Sequence, residues 1–196
     1  MTSPEVYIAL IHHPVLDRRG KVVTSAVTSL DIHDLARTAR TYGVKAVYII
    51  HPVQELREFA SRVREHWFES SGREFDSRRR EALELVQVIP ALSDAVSSIE
   101  RESGRRPLIV YTSANSRGGL TYDELRAKIF ENKIFEKKIL ENAQPILLLF
   151  GTGFGLAPEV ISNCDLGLAP IYGVDNYNHL PVRAAVAIIL DRLLGR

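Results

Sequence analysis

Three glycines, Gly151, Gly153 and Gly155, directly follow the apolar run ILLLF at 146–150. Because glycine has no Cβ, it lets the main chain approach a ligand closely or adopt a positive φ in a tight turn. A Rossmann dinucleotide site needs G-x-G-x-x-G in the first βα turn, and a phosphate-binding P-loop needs Gly-Lys followed by Ser or Thr. This sequence has G-x-G-x-G in its fifth βα unit and no Gly-Lys-Ser/Thr, so neither motif fits. The glycines indicate either another ligand or a tight turn alone.

Other chemically capable residues also follow apolar runs. The run RPLIVYTSAN (106–115) ends in the hydroxyl residues Thr112 and Ser113, and His12 and His13 come just after the first apolar run. A histidine pair is more often structural than catalytic, and the six histidines and one cysteine have no spacing typical of a metal site. We therefore expect no bound metal and no role for these histidines in binding one.

The elements that must position these residues alternate along the chain. Apolar runs predict strands at 6–11, 45–52, 83–89, 106–115, 146–150 and 165–170. Amphipathic or apolar stretches predict helices at 31–43, 53–69, 93–102, 121–142 and 180–194. Such alternation predicts an α/β fold, with a mostly parallel six-stranded sheet and helices on both faces. Ligands of these sheets bind at the carboxyl ends of the strands, which here are followed by the loops 12–31, 111–120, 151–157 and 170–180.

Two helices carry further signals. Asp31 is placed to cap the helix 31–43, and Gly43 is placed to end it. The helix 180–194 contains the run AAVAIIL and has almost no polar face. We expect this last helix to be buried on nearly all sides, by its own domain, by a second subunit or by both.

Length and composition indicate a globular protein. The chain has 196 residues, of which 45% are hydrophobic and 25% are charged, and we expect residues 1–196 to form one domain. No apolar run approaches the ~20 residues that cross a bilayer, and the amino terminus lacks the features of a signal peptide. The one cysteine, Cys164, excludes an internal disulfide and suits a reducing compartment. We therefore expect a cytoplasmic protein.

The net charge of +1 gives no general attraction to nucleic acid, so an anionic partner would need a local basic patch. One candidate patch contains Arg18, Arg19 and Lys21, and the other contains the arginines of 73–80. Both segments also carry acidic residues, and such charge runs are usually solvated surface.

The stretch DIHDLARTARTYGVKAVYIIHP (31–52) resembles the first SpoU-type motif of the SPOUT-class RNA methyltransferases. In that motif an Asn-x-Gly-x-x-x-Arg helix start is followed by Gly-Val and a strand. Arg37 falls on the arginine of the motif, while Asp31 and His33 replace its asparagine and glycine. The resemblance implies an α/β domain whose carboxy-terminal segment is threaded through a loop as a trefoil knot.

Two later stretches extend the resemblance. GTGFGLAPEV (151–160) is similar to the glycine-rich turn of the second motif, and IYGVDNYNHLPVRAAVAIIL (171–190) resembles the third, with Asn178 at its asparagine. A second branch of the class, the tRNA guanine-N1 methyltransferases, has a strand ending in Tyr-x-Ser and a last helix that opens with Glu-Leu-Pro. YTSAN (111–115) and His-Leu-Pro at 179–181 look similar to these features.

The resemblance implies a cofactor, S-adenosylmethionine, bound in a bent shape by three neighbouring loops. Backbone groups beside Ile171, Gly173 and Leu180 would enclose its adenine, and Gly151 and Gly153 would let the main chain approach its ribose and methionine. The expected cofactor-binding residues are Tyr111, Thr112, Ser113, Phe150, Gly151, Thr152, Gly153, Ile171, Gly173, Val174, Asp175 and Leu180.

The resemblance also implies a methyl acceptor on structured RNA, either tRNA or rRNA. Arg37 is the expected catalytic residue, because the SpoU-type arginine orients or activates a ribose 2′-hydroxyl; otherwise it is a phosphate clamp or a surface charge. Asn178 is expected to position substrate or cofactor, or to cap the last helix. Family members form homodimers through the last helix, here 180–194, and each active site borrows residues from the other subunit.

The source of an acid–base group stays open at this point, since base-methylating relatives draw an aspartate from a segment after the last helix. The candidates are His12, His13, Asp31, Asp175 or a residue of a partner subunit. RNA would be held by the catalytic domain itself, with 12–30 and 70–80 as flanking arms.

Three alternatives to ribose methylation remain. The acceptor could be the N1 of a guanine, or a pseudouridine, in the same fold. The chain could bind cofactor or RNA without transferring a methyl group. The chain could also be a flavodoxin-like nucleotide binder whose glycines contact phosphate.

Overall fold

The computed structural model describes residues 5–69, 77–116, 118–131, 144–175 and 177–196. Its strands are β1 (Val6–Ile11), β2 (Val15–Leu16), β3 (Val22–Val23), β4 (Val47–Ile50), β5 (Val86–Ile89), β6 (Leu108–Tyr111), β7 (Ile146–Gly151) and β8 (Leu166–Gly167). One six-stranded sheet has the order β5-β4-β1-β7-β6-β8, and every neighbouring pair in it is parallel. The short strands β2 and β3 form a separate antiparallel pair.

The predicted parallel sheet is confirmed, and its burial explains why its strands read as unbroken apolar runs. In the central strand β1 every residue is buried. Val6, Ile8 and Leu10 belong to the hydrophobic cluster on one face of the sheet, whereas Tyr7 and Ile11 belong to the cluster on the other face. A strand that is covered on both faces has no solvent side on which polar residues could alternate.

The described helices are α1 (Ser29–Tyr42), α2 (Gln54–Glu65), α3 (Ser77–Leu83), α4 (Leu92–Ser103), α5 (Tyr122–Glu131), α6 (Pro158–Ile161) and α7 (Val182–Leu194). The short helices α3 and α6 were not predicted, and α3 takes the first residue of the predicted strand 83–89. The predicted helix 53–69 ends at Glu65. Residues 70–76 of the second basic segment and 132–143 of the predicted helix 121–142 lie outside the described residues.

The ends of α1 correct one prediction and confirm another. Thr28, not Asp31, is the N-cap, because the Thr28 side chain accepts a hydrogen bond of 3.2 Å from the Asp31 backbone N–H. Asp31 sits within the first turn, where a carboxylate interacts favourably with the helix dipole. Gly43 ends the helix as predicted, with a left-handed φ of 71°.

The last helix, α7, packs against α1, α5 and β7. Val186, Ile189, Leu190 and Leu193 are buried there. The prediction that this helix is buried on nearly all sides is wrong for the single chain, because its other apolar residues, among them Ala184, Ala187 and Ile188, are only half-buried. The sheet and α1 cover one face of the helix and leave the next apolar face partly open to solvent.

No helix within the described ranges is both long and apolar enough to cross a membrane.

Candidate active site

A cavity of about 770 Å³ opens at the carboxyl ends of the central strands. Its walls come from the segment after β3, the first turn of α1, the loops after β6, β7 and β8, and the first half of α7. Parallel sheets bind their ligands at this edge. The residues of the predicted site that line the cavity are Thr112, Ser113, Phe150, Gly151, Thr152, Gly153, Ile171, Asn178 and Leu180.

The glycine-rich turn after β7 forms one wall, and its glycines are needed for the turn itself. A Cβ on Gly151 would lie 2.7 Å from the Leu156 backbone nitrogen. Gly153 has a φ of +62°, and a Cβ there would lie 2.8 Å from the carbonyl oxygen of Leu16. The turn is therefore packed against the β2 strand on one side while its other side lines the cavity. Larger residues at these two positions would displace the wall.

A hydrogen-bond network fixes the same wall from behind. Thr152 donates its hydroxyl to the Ile11 carbonyl at 3.2 Å and contacts the Ser25 hydroxyl, which lies 2.9 Å from Nδ1 of His12. If Thr152 donates to Ile11, Ser25 must donate to Thr152, and His12 must donate from Nδ1 to Ser25. This assignment gives each of the three donors an acceptor and places a hydrogen on Nδ1 of His12.

The electrostatics of His12 agree with that assignment. The imidazole is fully buried, and burial, followed by the nearby His51 ring, lowers its pKa to about 4. The Nδ1 of His51 accepts the Val53 backbone N–H, and its Nε2 donates to the Ser25 carbonyl. The two buried histidines thus hold the segment after β3 in place.

The loop after β6 contributes a second wall through Thr112 and Ser113. The Thr112 hydroxyl donates to the Leu149 carbonyl at 2.9 Å, so only its lone pairs remain for a ligand. Tyr111, predicted to bind the cofactor, lies outside the lining. Its ring instead covers Gly167, where a Cβ would lie 2.5 Å from the Tyr111 Cζ.

The main chain at β8 runs between the two ends of the loop 112–119. On one side, Leu168 donates its backbone N–H to the Tyr111 carbonyl at 2.9 Å. On the other side, Leu120 donates to Gly167 at 2.7 Å and accepts from Ala169 at 2.8 Å. The segment 167–169 is therefore hydrogen-bonded to residues at both ends of the loop 112–119.

The loop after β8 closes the cavity with Ile171, Asn178 and Leu180. Asn178 donates its amide to the Ala114 carbonyl at 2.9 Å and so joins this loop to the one after β6. The other predicted residues of this loop, Gly173, Val174 and Asp175, lie outside the lining. Their predicted contact with a cofactor remains a prediction.

Helix α1 presents a carboxylate to the cavity. Asp31 lines it, whereas Arg37, predicted to be catalytic, is exposed and lies outside the lining. Arg183 of α7 bridges two carboxylates of α1, with its Nη1 2.8 Å from Asp34 and its Nε 3.6 Å from Asp31. Sequence reasoning missed Arg183 and Ser25, since only the packing of α7 on α1 and of the β3 segment on the glycine turn brings them to the site.

A sequence model of SAM-dependent RNA methyltransferases matches residues 5–195. The chain belongs to this family. Among its relatives, a tRNA (guanine-N(1)-)-methyltransferase of Oleidesulfovibrio alaskensis is 38% identical over 97% of the chain, which spans 42% of the length of that relative. An uncharacterised protein of Aquifex aeolicus is 38% identical over 100% of the chain and 91% of its own length.

Solved structures share the fold of this SAM-dependent RNA methyltransferase family member. The SpoU methyltransferase AviRb from Streptomyces viridochromogenes, in complex with the cofactor AdoMet, has a TM-score of 0.56 and 17% sequence identity. The similarity covers 99% of this chain and 61% of that one. At this level of identity the likeness concerns the fold alone.

The lining suits the methyl donor that gives the family its description. S-adenosylmethionine combines an apolar-faced adenine, a ribose with two hydroxyls and a cationic sulfonium. The cavity offers the apolar side chains of Phe150, Ile171 and Leu180, the bare main chain of the glycine turn, and the carboxylate of Asp31. Its volume of about 770 Å³ lies in the range of small-molecule sites, roughly 300–1,000 Å³.

Proposed function

We propose that this chain transfers a methyl group from S-adenosylmethionine to a nucleotide of structured RNA, either tRNA or rRNA. The observation that carries the proposal is the cavity at the carboxyl edge of the sheet, walled by the same three loops that carry the family motifs. When bound, the cofactor supplies an activated methyl group on its sulfonium. The chain has to hold the acceptor in line with that methyl group and receive the proton of the acceptor.

The methylated atom does not follow from the names of the relatives. The guanine-N1 methyltransferase of Oleidesulfovibrio alaskensis is more than twice as long as this chain, because the chain spans 42% of it. Its name can describe a part of that protein that this chain does not match. The guanine N1 and the ribose 2′-hydroxyl are therefore both acceptors to be tested.

We propose that the lining residues of the glycine turn and the loops after β6 and β8 hold the cofactor. Main-chain groups of Gly151 and Gly153 would contact its ribose and methionine, and Ile171 and Leu180 would enclose its adenine. Tyr111, Gly173, Val174 and Asp175 stay candidates that lie outside the lining, and alanine variants with cofactor titration test them.

Arg37 and Asn178 are proposed to act on the substrate side. Asn178 lines the cavity, and its bond to Ala114 supports a role in aligning two walls of the cavity. Arg37 is exposed on α1 outside the lining, which favours a contact with RNA or with the cavity of a second subunit.

We further propose that the carboxy-terminal segment passes through the loop 112–119 as a trefoil knot within one domain. The hydrogen bonds of β8 to Tyr111 on one side and to Leu120 on the other support this threading. The close approach at Gly119, where a Cβ would lie 2.7 Å from the Gly167 carbonyl oxygen, supports it as well.

A homodimer through α7 is also proposed. Ala184, Ala187 and Ile188 occupy one helical face by their spacing and are only half-buried in the single chain. A second copy of the same face would cover them. Sedimentation of the purified chain, with Ile188→Glu as the variant, tests this contact.

The central experiment uses labelled S-adenosylmethionine and bulk RNA from a strain that lacks this protein. The expected result is label incorporated at one nucleotide, which nucleoside digestion and mass spectrometry identify. Calorimetry with S-adenosylmethionine, S-adenosylhomocysteine and a flavin is run on the same protein. Cofactor binding without transfer to any RNA would favour a binding protein, and flavin binding alone would overturn the proposal.

A further inference from the structure

Asp31 is distinctive among the residues that wall the cavity. Within the described part of the chain it is the only carboxylate in the lining. Its side chain is 14% exposed, so it is largely withdrawn from solvent while one side faces the cavity. A carboxylate in such a position is either a structural ion-pair partner or a group that meets the ligand.

Of the two oxygens of Asp31, one accepts a hydrogen bond and the other faces only its ion-pair partner, Arg183. Oδ2 accepts a short hydrogen bond of 2.5 Å from the Thr28 hydroxyl. Oδ1 faces the Nε of Arg183 at 3.6 Å, which is longer than a hydrogen bond. The shorter contact of Arg183, at 2.8 Å, goes to Asp34 instead. Thr28 therefore fixes the orientation of the carboxylate, and within the described residues no donor occupies Oδ1 at hydrogen-bond distance.

Methyl transfer to an O–H or N–H acceptor requires a place for the proton. The acceptor atom forms a bond to the methyl carbon while the sulfur–carbon bond breaks, and the electron pair of that bond stays on sulfur as a neutral thioether. The acceptor then carries an extra positive charge unless its proton leaves in the same step. A positioned carboxylate that receives this proton contributes a typical rate factor of roughly 10²–10⁴.

We propose that Asp31 is a catalytic residue that receives this proton on Oδ1. The inference rests on the proposed function, because it assigns a role within the same cavity. After transfer the carboxylic acid returns its proton to solvent through the open side of the cavity. Among the other described residues of the lining, His179 is exposed and packs its ring edgewise on Tyr177, which leaves it at the rim.

His12 does not compete for this role. It is fully buried behind the wall formed by Ser25 and Thr152, and both of those hydroxyls already take part in hydrogen bonds. Its burial also opposes the positive charge that an accepted proton would create.

The test compares Asp31→Asn with the matched control Asp34→Asn. Both variants remove one negative charge from α1 and from the same Arg183, but only Asp31 lines the cavity. Single-turnover methyl transfer is measured on the RNA that the unaltered protein modifies. We expect Asp31→Asn to slow transfer by roughly 10²–10⁴-fold and Asp34→Asn to change it less than about threefold.

Two further measurements separate catalysis from binding and folding. Asparagine can still accept the Thr28 hydroxyl, so urea unfolding should show that Asp31→Asn is folded. Calorimetry should give affinities for S-adenosylmethionine and S-adenosylhomocysteine within about threefold of the unaltered protein. Only the first of these ligands carries the sulfonium charge, so weaker binding of it alone would mean that Asp31 attracts the cofactor instead.

The remaining outcomes are equally decisive. Unchanged transfer in Asp31→Asn, or equal losses in both variants, would overturn the inference. If the unaltered protein binds S-adenosylmethionine but methylates none of the RNAs, the proposed function itself fails, and the role of Asp31 fails with it.

Discussion

The hydroxyl of Ser25 is hydrogen-bonded to the hydroxyl of Thr152, although 127 residues separate them in the chain. Ser25 is in turn 2.9 Å from Nδ1 of the buried His12, and Thr152 donates to the Ile11 carbonyl. Ser25 and Thr152 both line the cavity. The wall that carries the glycine turn is therefore held by a buried polar network as well as by packing, and such networks lose their benefit when one member is removed.

Thr152→Val tests that network because it keeps the shape of the side chain and removes the hydroxyl. Ser25 then keeps only the His12 carbonyl as an acceptor, at 3.4 Å, and the Ile11 carbonyl keeps only the Thr152 backbone N–H, at 3.3 Å. The lost hydroxyl contacts should cost about 0.5–1.5 kcal/mol in the free energy of unfolding. We also expect S-adenosylmethionine to bind roughly tenfold more weakly, equivalent to about 1.4 kcal/mol. Thr152→Ser retains the hydroxyl and is the control. Urea unfolding and calorimetry provide the two readouts, and unchanged affinity in Thr152→Val would mean that the network does not shape the cofactor site.

The burial of His12 predicts that the protein loses stability in mild acid. Its folded-state pKa is lowered to about 4, whereas an exposed histidine titrates near 6.5. Below pH 6.5, His12 of the unfolded chain therefore binds a proton, whereas His12 of the folded chain does not bind it until about pH 4. Between pH 7.5 and pH 5 this single group should remove about 2 kcal/mol from the free energy of unfolding.

The corresponding measurement is urea unfolding at pH 7.5 and pH 5 on the unaltered protein and on His12→Asn. Asparagine can still donate to Ser25 but does not titrate, so the variant should lose about 2 kcal/mol less over this range. The pKa of His33 is also lowered, by burial and then by Arg79. His33 contributes equally to the pH dependence of unfolding in both proteins, so its contribution cancels in the comparison. An equal pH dependence in the two proteins would show that His12 is not the buried group responsible.

Much of the fold could be predicted from the sequence because the strands of the sheet are buried on both faces. Parallel strands buried on both faces must be apolar throughout, as in β1 and β7, and they are therefore easy to find. The order of the strands could not be read in this way, since β7 pairs with β1 across 134 residues of intervening chain only through tertiary packing. The short helix α3 was missed because its residues, SRRREAL, are mostly charged.

The site was predicted less completely, because motif alignment counts residues but does not fix where a side chain points. Arg37 lies six positions after Asp31, which is about 9 Å along the helix axis and on another face. Asp31 reaches the cavity and Arg37 does not. Gly151 and Gly153 were assigned to a ligand, but contacts with Leu156 and Leu16 already demand glycine there. Neither contact is visible in the sequence, because each depends on how the turn packs.

The close approach at the loop 112–119 predicts a sharp contrast between two neighbouring glycines. A Cβ on Gly119 would lie 2.7 Å from both the Gly167 oxygen and the Leu168 carbonyl carbon. These are backbone atoms, which cannot move away as the end of a flexible side chain can. Gly118 has a φ of +79° but open space around its Cβ position. We expect Gly118→Ala to cost about 1–2 kcal/mol from its left-handed conformation. Gly119→Ala should cost more than about 3 kcal/mol or prevent refolding, because the added methyl group would collide with the backbone of Gly167 and Leu168.

Urea unfolding and refolding of both glycine variants provide the measurement. Gly104→Ala, at the left-handed end of α4, serves as a second control for the cost of positive φ without a close contact. Equal losses in the free energy of unfolding of all three variants would argue that close packing of the loop 112–119 on the segment 167–169 does not matter for stability.

The exposed position of Arg37 predicts that the active site is completed across the proposed dimer. Asp31 lines the cavity of its own chain, whereas Arg37 lies outside that lining, on the helix that packs against α7. If Arg37 serves the cavity of the second subunit, a mixed dimer of Arg37→Ala and Asp31→Asn contains one cavity with both defects and one cavity with none. That dimer should regain about half the activity of the unaltered dimer, although each variant alone is inactive.

Co-expression of the two variants with different affinity tags and sequential purification isolates this mixed dimer for the assay. A dimer of two Arg37→Ala chains, isolated through the same two tags, is the matched control and should stay inactive. If the mixed dimer is also inactive while both single variants bind S-adenosylmethionine normally, Arg37 acts within its own chain. In that case α1 would have to rotate for Arg37 to reach the acceptor, because Arg37 does not line the cavity of the single chain.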